Sequence, residues 1–167
     1  MTQVGILMGS DSDWQKINGV AKALDEFGIL YEVEVMSAHR TPDLVKQYAE
    51  EAAERGILVI ICAAGGAAHL AGTVAAHTTL PVIGIPVTTE LSGGLDSLLS
   101  TVQMPGDIPV ATVGVGAGGA RNAGILAVQI LALQNPILKQ KLIDFRKSLV
   151  IKISEKNEKL KKIIIIQ

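Results

Sequence analysis

The sequence predicts an α/β fold in which helices cover both faces of a parallel sheet. Short apolar segments alternate with longer amphipathic ones along the 167-residue chain, as expected for parallel strands joined by right-handed helical crossovers. Hydrophobic residues make up 49% of the chain but aromatic residues only 3%, so the core must consist mainly of Val, Ile, Leu and Ala. The length fits a single domain, 1–167.

Five apolar segments are predicted to be the strands of this sheet. The third is a continuous apolar run, which is typical of a central strand buried on both faces. The predicted strands are, in chain order, 4–8, 31–36, 58–63, 82–85 and 110–115. Five parallel strands with intervening helices predict a three-layer αβα sandwich with flavodoxin-like strand order.

The segments between the strands carry apolar side chains at helical spacing. Helices are predicted over 14–27, from 42 to about 56, and over 68–77, 95–102 and 119–133. An additional C-terminal helix begins at Asn135-Pro136. The segment of about 136–167 ends in a tail rich in Lys and Ile, which is either a frayed helix end or packed on another subunit. We expect it to pack on a neighbouring subunit.

Composition and charge argue against several classes of protein. The net charge of -1 provides no basic surface for nucleic acid. Cys62 is the only cysteine, and the first residues lack the charged start of a signal peptide, so a reducing, cytoplasmic location without disulfides is predicted. The stretch 56–89 has no Asp, Glu, Lys or Arg, but glycines, histidines and Pro81 interrupt it. We therefore expect strands and a helix there rather than a membrane span.

The loop after the second predicted strand carries the most informative residues, 37–42. His39 and Arg40 lie at the carboxyl end of a strand, where open α/β sheets bind ligands. An imidazole that titrates near neutral pH beside a permanent guanidinium combines a proton-transfer group with an anion-binding group. A simpler interpretation is a helix start with Thr41 as N-cap and Pro42 at the first position, but it does not explain His39 or Arg40.

The loop after the first predicted strand, 9–13, has two interpretations. A glycine followed by hydroxyl groups at a helix start can cradle an anion. Alternatively, Ser10 and Asp13 resemble a capping box with Asp in place of Glu. Because carboxylates repel phosphate, Asp11 or Asp13 is better suited to ribose hydroxyls.

Two further loops complete the predicted ligand edge of the sheet. Gly65 and Gly66 follow the third strand and allow a ligand to approach the backbone closely. His69, which comes next, either faces the ligand or merely lies near a helix start. The loop from Pro86 to Leu95 has the glycine content of a mobile cover.

Other ligand motifs are absent or incomplete in the sequence. Residues 114–119 match the G-x-G-x-x-G dinucleotide fingerprint, but no acidic residue ending a further strand follows about 20 positions on, so we reject NAD. No phosphate-binding P-loop motif occurs, and the third strand ends in Ala63-Ala64 rather than the Asp of a phosphoacceptor domain. The three histidines are dispersed without Cys or carboxylate clusters, so we expect no metal site.

The predicted helix 68–77 has no charged residue, and the helix after the fifth strand has only Arg121. A surface helix normally presents a polar face to water. We therefore expect other subunits to cover these two helices.

Four motifs follow one another along the chain, three at the ligand edge and one in a later helix. They are GSDSDW at 9–14, SAHRTP at 37–42, AGGAAHL at 64–70 and DSLLSTVQMP at 96–105. In these residues the chain resembles the class I 5-(carboxyamino)imidazole ribonucleotide mutases of purine biosynthesis. The resemblance runs from the first strand to the helix after the fifth.

The resemblance implies an isomerase that moves a carboxylate from the exocyclic amine of an imidazole ribonucleotide to a ring carbon, without metal, ATP or organic cofactor. It implies that Ser10, Asp13 and Arg40 bind the ribonucleotide and that His39 shuttles the proton. It also implies a homo-octamer and a functional link to the ATP-dependent synthase that makes the carbamate substrate. The other residues predicted to complete the substrate site are Ser12, Ser37, Ala38, Gly65, Gly66, Ala67, His69 and Leu70.

Two other functions are possible for such a chain, and three of its residues differ from the family pattern. A sister class carboxylates aminoimidazole ribonucleotide with carbon dioxide, but it has Lys after the histidine, where this chain has Arg40. A non-catalytic nucleotide-binding module on the same scaffold is the second alternative. The family pattern has Gly at Ala63, Pro at Ala71 and usually Gly at Asp107, and the last departure affects a loop near the expected ligand cover.

Overall fold

The computed structural model describes residues 1–165 and contains one five-stranded, all-parallel sheet in the order β2-β1-β3-β4-β5. The strands are β1 (Val4–Met8), β2 (Tyr31–Val35), β3 (Val59–Ala64), β4 (Val82–Pro86) and β5 (Ala111–Thr112). Val4 of β1 lies opposite Tyr31 of β2 and Val59 of β3, so the strands start together and their carboxyl ends share one edge. The prediction of a flavodoxin-like parallel sheet is confirmed.

Seven α-helices occur within the described residues. They are α1 (Trp14–Ile17), α2 (Gly19–Phe27), α3 (Pro42–Glu51), α4 (Leu70–Ala76), α5 (Leu95–Val102), α6 (Ala117–Ala132) and α7 (Pro136–Ile165). Short 3₁₀ turns occupy Asp11–Asp13 and Leu91–Gly93. None of the described helices is long and apolar enough to cross a membrane.

The predicted element boundaries differ most from the observed ones in three places. The predicted helix 14–27 is two helices that meet at Asn18. The second predicted helix stops at Glu51 rather than near Gly56, and a turn follows. The fifth strand is only two residues long, and its two residues pair with Ile83 and Gly84 of β4 at the edge of the sheet.

The core lies on both faces of the sheet, and β1, β3 and β4 are its most deeply buried strands. On one face, α3 and α4 pack together with side chains such as Val45, Leu70 and Val74 in a single apolar cluster, and α5 packs on β4. On the other face, α2 and α6 approach so closely that a Cβ on Gly124 would lie 2.7 Å from the carbonyl oxygen of Val20. The helices on the two faces hold the sheet in place, and the candidate site lies at the carboxyl edge of that sheet.

The chain divides into two compact units, Met1–Ile130 and Leu131–Gln167. The second unit is dominated by α7, whose start is capped as the sequence predicts: the Asn135 side-chain oxygen accepts hydrogen bonds from the N–H groups of Ile137 and Leu138. The segment predicted to be a tail continues α7 as helix as far as Ile165. Several apolar side chains on α7, including Val150 and Ile153, are exposed.

Asp107 adopts a left-handed backbone conformation, with φ of 72°, at a position where the family pattern usually has Gly. This region costs an L-residue about 1–2 kcal/mol, whereas Gly enters it freely but loses more entropy on folding. We expect Asp107→Gly to raise the free energy of unfolding by about 0.5 kcal/mol and Asp107→Ala to lower it by a similar amount. Urea denaturation at one protein concentration measures both, and an Ala variant as stable as the Gly variant would contradict the assignment of strain.

Candidate active site

A cavity of about 390 Å³, here called the His39 cavity, lies at the carboxyl edge of the sheet. The loops that follow β1, β2 and β3 form its walls, which agrees with the rule that ligands bind beyond the carboxyl ends of parallel strands. Its lining residues are Gly9, Ser10, Asp13, Ser37, Ala38, His39, Arg40, Ala64, Gly65, Ala67, His69 and Leu70.

The structure brings together all the predicted site residues except Ser12 and Gly66, which do not line the cavity. The Ser12 hydroxyl instead lies 2.9 Å from that of Ser10, inside the first loop. Gly9, which follows β1, and Ala64, which ends β3, also line the cavity; the sequence placed both in ligand-edge motifs but did not single them out as site residues. Their position at the strand ends was the available signal.

His39 and His69 form a pair inside the cavity. The His39 Nε2 atom lies 2.8 Å from the His69 Nδ1 atom, and the two rings meet edge to face at 82°. One of these nitrogens must donate and the other accept, so protonation of one ring fixes the tautomer of the other. His69 therefore faces the cavity, one of the two possibilities that the sequence left open.

The loop that carries His39 is held by its own hydroxyl groups. The Ser37 Oγ accepts from the backbone N–H groups of His39 at 3.3 Å and Arg40 at 3.2 Å. The Thr41 Oγ1 accepts from the N–H of Ser37 at 2.9 Å and donates to its carbonyl oxygen at 3.1 Å. Thr41 occupies the N-cap position of α3 and Pro42 begins the helix, as predicted, but the Thr41 hydroxyl makes no capping hydrogen bond and closes the loop instead.

Arg40 links the loops after β1 and β2. Its Nη2 atom donates to the carbonyl oxygen of Gly9 at 2.7 Å, and this contact fixes the guanidinium at the cavity wall. A guanidinium carries five N–H donors in a rigid fork, so one contact leaves donors for an anionic ligand. Among the described residues, 1–165, Arg40 is thus held in place without an ion pair to a carboxylate.

The first loop contains a 3₁₀ turn with Ser10 as its N-cap, but the capping box between Ser10 and Asp13, one of the two interpretations of the sequence, does not form. Ser10 accepts from the N–H of Ser12, and Asp13 makes no side-chain cap. Burial raises the pKa of the Asp13 carboxyl, and the nearby Lys16 ammonium opposes that shift. A partly desolvated carboxylate at a cavity wall favours hydroxyl donors as partners, which suits a sugar.

The segment 64–69, here called the glycine loop, lines the cavity with all its residues except Gly66 and Ala68. Gly65 and Ala67 line it, whereas Gly66 does not. Gly66 has a φ of 66° and donates its N–H to the Ser97 hydroxyl of α5 at 2.9 Å. The left-handed conformation turns this amide toward the helix rather than toward the cavity.

The loop after β4, predicted to be a mobile cover, is fastened at two points. The Thr89 hydroxyl donates to the Asp96 carboxylate at 2.6 Å, a contact that lowers the pKa of Asp96. The Lys16 ammonium donates to the carbonyl oxygen of Thr88 at 3.1 Å. No residue of this loop lines the His39 cavity.

Within residues 1–165, no group of three or more His, Cys, Asp or Glu side chains is arranged to hold a metal ion. The donors that the cavity does offer are two imidazoles, one guanidinium, hydroxyl groups and backbone amides. This set suits an anionic, hydroxyl-bearing ligand and a proton transfer.

Comparison with known proteins gives a consistent result. The family model described as AIR carboxylase matches residues 3–151. The N5-carboxyaminoimidazole ribonucleotide mutase of Bacillus subtilis is 54% identical over 157 residues, which cover 94% of this chain and 97% of that protein. The mutase of Thermotoga maritima is 52% identical over 98% of this chain and 94% of its own length. The crystal structure of Treponema denticola PurE superposes with a TM-score of 0.84 and 31% identity, over 95% of this chain and 98% of that one.

Proposed function

The chain belongs to the AIR carboxylase family, and we propose that the His39 cavity is the site at which it carries out the reaction of its mutase relatives. The chain converts 5-(carboxyamino)imidazole ribonucleotide to 5-amino-4-imidazolecarboxylate ribonucleotide in purine biosynthesis, which makes it an isomerase. The observation that carries the site assignment is the position of His39 in the cavity, where its ring pairs with that of His69 and Arg40 lines the same wall.

The reaction exchanges one carbon–nitrogen bond for one carbon–carbon bond. When the bond between the carboxylate and the exocyclic nitrogen breaks, the nitrogen takes up a proton and carbon dioxide is released into the cavity. The ring carbon then attacks carbon dioxide and loses its own proton, so no net proton is consumed. Retaining both fragments in one cavity makes their recombination effectively unimolecular.

His39 is the proposed proton shuttle. An imidazole can give a proton to the departing nitrogen and take the proton from the ring carbon, because one ring nitrogen can donate while the other accepts. The hydrogen bond between His39 Nε2 and His69 Nδ1 sets the orientation of the His39 ring and couples the tautomers of the two rings. His69 thereby keeps the His39 ring oriented toward the substrate.

The ribonucleotide is proposed to lie across the first two loops. Arg40 supplies positive charge to the phosphate, and its contact with the Gly9 carbonyl oxygen fixes the direction of the fork. Ser10 adds a hydroxyl, and the partly desolvated Asp13 carboxylate accepts from the ribose hydroxyls. The migrating carboxylate is proposed to lie against the glycine loop, where backbone N–H groups contact it without a charged side chain.

Turnover of the carbamate substrate tests this assignment against a non-catalytic nucleotide-binding module. The protein, incubated with 5-(carboxyamino)imidazole ribonucleotide and without added metal, ATP or organic cofactor, should form the rearranged product with a change in ultraviolet absorbance. A protein that binds the ribonucleotide in calorimetry but never forms the product would contradict the proposal.

We also propose that the ATP-dependent synthase of this substrate is a functional partner, and that both act in the cytoplasm.

We further propose that the chain works as a homo-oligomer, with eight subunits as the resemblance implies. One exposed stripe supports this: Leu95, Leu99 and Val102 share a face of α5, and each is nearly half exposed at 46–48%. Leu99 of this stripe lines a surface groove, and Gly72 and Thr73 of the neighbouring α4 line the same groove. From the sequence alone, a charge at Val74 or Ala75 of α4 would be chosen to disrupt assembly. In the structure, however, Val74 is fully buried and Ala75 packs against the apolar core of its own chain.

A charge on the exposed stripe therefore tests assembly without disturbing the core. We expect Val102→Asp to shift the sedimentation of the protein toward smaller species and to reduce activity, because burying an unpaired carboxylate in an interface is costly. Leu30→Asp is the matched control, since Leu30 is an exposed apolar residue just before the edge strand β2. Analytical ultracentrifugation measures both, and a wild-type protein that is monomeric and active at micromolar concentration would overturn the proposal.

A further inference from the structure

The motif at 96–105 is part of the family pattern, but none of its residues lines the His39 cavity. Within it, two serines of α5 contact the glycine loop. The fully buried Ser97 accepts at Oγ from the N–H of Gly66 at 2.9 Å. The Ser100 Oγ accepts from the N–H of Ala68 at 3.0 Å, and its single proton can go to the carbonyl oxygen of Gly66 at 2.8 Å or of Asp96 at 2.6 Å.

These bonds hold alternate amides of the glycine loop. Gly66 and Ala68 face α5 and are satisfied there by hydroxyl groups. Gly65 and Ala67 line the cavity, and within residues 1–165 their amides donate to no protein acceptor. A buried N–H without a partner is costly, so the serines select which amides turn inward and which remain available to a ligand.

We propose that Ser97 and Ser100 are positioning residues that aim the Gly65 and Ala67 amides at the migrating carboxylate. Neither serine touches the substrate, and both act through the backbone of the glycine loop. Their effect falls on the carbon dioxide stage, when the fragment is held by neutral amides alone and a misaligned loop lets it escape. This inference rests on the proposed function of the cavity.

The geometry also explains why hydroxyl groups are needed at these two positions. Ser97 lies 3.9 Å from the point where a Cβ on Gly65 would stand, so the helix and the loop are in close contact. A larger side chain would push the loop into the cavity, and an apolar one would leave the Gly66 amide unsatisfied. Ser100 both accepts and donates, which only a hydroxyl does at this size.

The decisive measurement is the fate of the carbamate substrate in Ser97→Ala and Ser100→Ala. We expect kcat to fall by about tenfold or more, since misplacement of a binding group by about 1 Å can cost this much. The fraction of substrate released as aminoimidazole ribonucleotide should rise at the expense of rearranged product. The Kd of aminoimidazole ribonucleotide, which lacks the carboxylate, should stay at the wild-type value.

Two further variants separate positioning from a purely structural role. Thr101→Val is the matched control: Thr101 is a buried hydroxyl of the same helix, but it donates only to the Ser97 carbonyl oxygen and not to the glycine loop. It should keep the wild-type partition between product and released ribonucleotide. Ser100→Thr retains the hydroxyl and should restore the partition lost in Ser100→Ala. Because Ser100 is only half-buried, its variants remain testable where Ser97→Ala does not fold.

The outcomes distinguish this inference from the function on which it rests. A wild-type protein that forms no rearranged product overturns the proposed function itself. A wild-type protein that does so, with serine variants that keep both kcat and partition, overturns the positioning role. Equal losses in Ser100→Ala and Thr101→Val would likewise contradict it, because they would indicate general damage to α5.

Discussion

His39→Asn is expected to lower turnover by about a hundredfold or more while leaving the fold and substrate binding intact. Asn can still form hydrogen bonds near His69, but it cannot take up and release a proton in the neutral pH range. The loop itself should survive, because Ser37 and Thr41 hold it through backbone groups that the substitution does not remove. Steady-state turnover of the carbamate substrate and circular dichroism measure the two parts of this prediction.

His77→Asn is the matched control for that experiment. His77 ends α4 and lies 3.7 Å from the Glu50 carboxylate, and it does not line the His39 cavity. We expect its turnover to match the wild type. A folded His39→Asn protein with nearly wild-type turnover would remove His39 from the mechanism, whatever the control shows.

Arg40→Ala is expected to weaken the binding of aminoimidazole ribonucleotide by about tenfold to hundredfold, the range for a lost hydrogen bond to a charged group. The ligand carries the phosphate but not the migrating carboxylate, so it reports on the anchor alone. Isothermal calorimetry gives the Kd directly. Arg40→Lys keeps the charge but not the rigid fork that also reaches Gly9, so its Kd should lie between those of the wild type and Arg40→Ala.

Arg146→Ala serves as the control for loss of an arginine. Arg146 is an exposed residue of α7 and does not line the cavity. Its removal should leave the Kd unchanged. An Arg40→Ala protein that binds as tightly as the wild type would show that the guanidinium points away from the phosphate.

The sequence predicted the sheet well because its signals are local. Apolar runs such as 58–63 and the helix start at Pro42 depend on neighbouring residues only, and the observed elements lie within a few residues of them. The sites followed from the rule that parallel strands share a carboxyl edge, which placed His39, Ser10 and Gly65 around one cavity. The fifth strand was predicted too long, because its apolar sequence does not reveal that only Ala111 and Thr112 pair with β4.

Pairings between distant residues could not be read from the sequence. His39 and His69 are 30 residues apart, and only the assembled sheet brings their rings within hydrogen-bond distance. The orientation of Gly66 depends on Ser97, 31 residues later, so the glycine pair appeared to face the ligand as a unit. Similarly, the composition of α4 does not tell its inner side from its outer side, which is why Val74 suggested itself as an interface residue.

The central claim, that the carboxylate migrates within one substrate, is tested most directly by comparing two carboxyl sources. Initial rates of product formation are followed by ultraviolet absorbance with 5-(carboxyamino)imidazole ribonucleotide, and separately with aminoimidazole ribonucleotide plus bicarbonate. We expect efficient turnover of the carbamate and little product from the separate components at the same ribonucleotide concentration. An equal or faster rate from aminoimidazole ribonucleotide and bicarbonate would contradict the account and assign the chain the carbon dioxide-using carboxylase reaction instead.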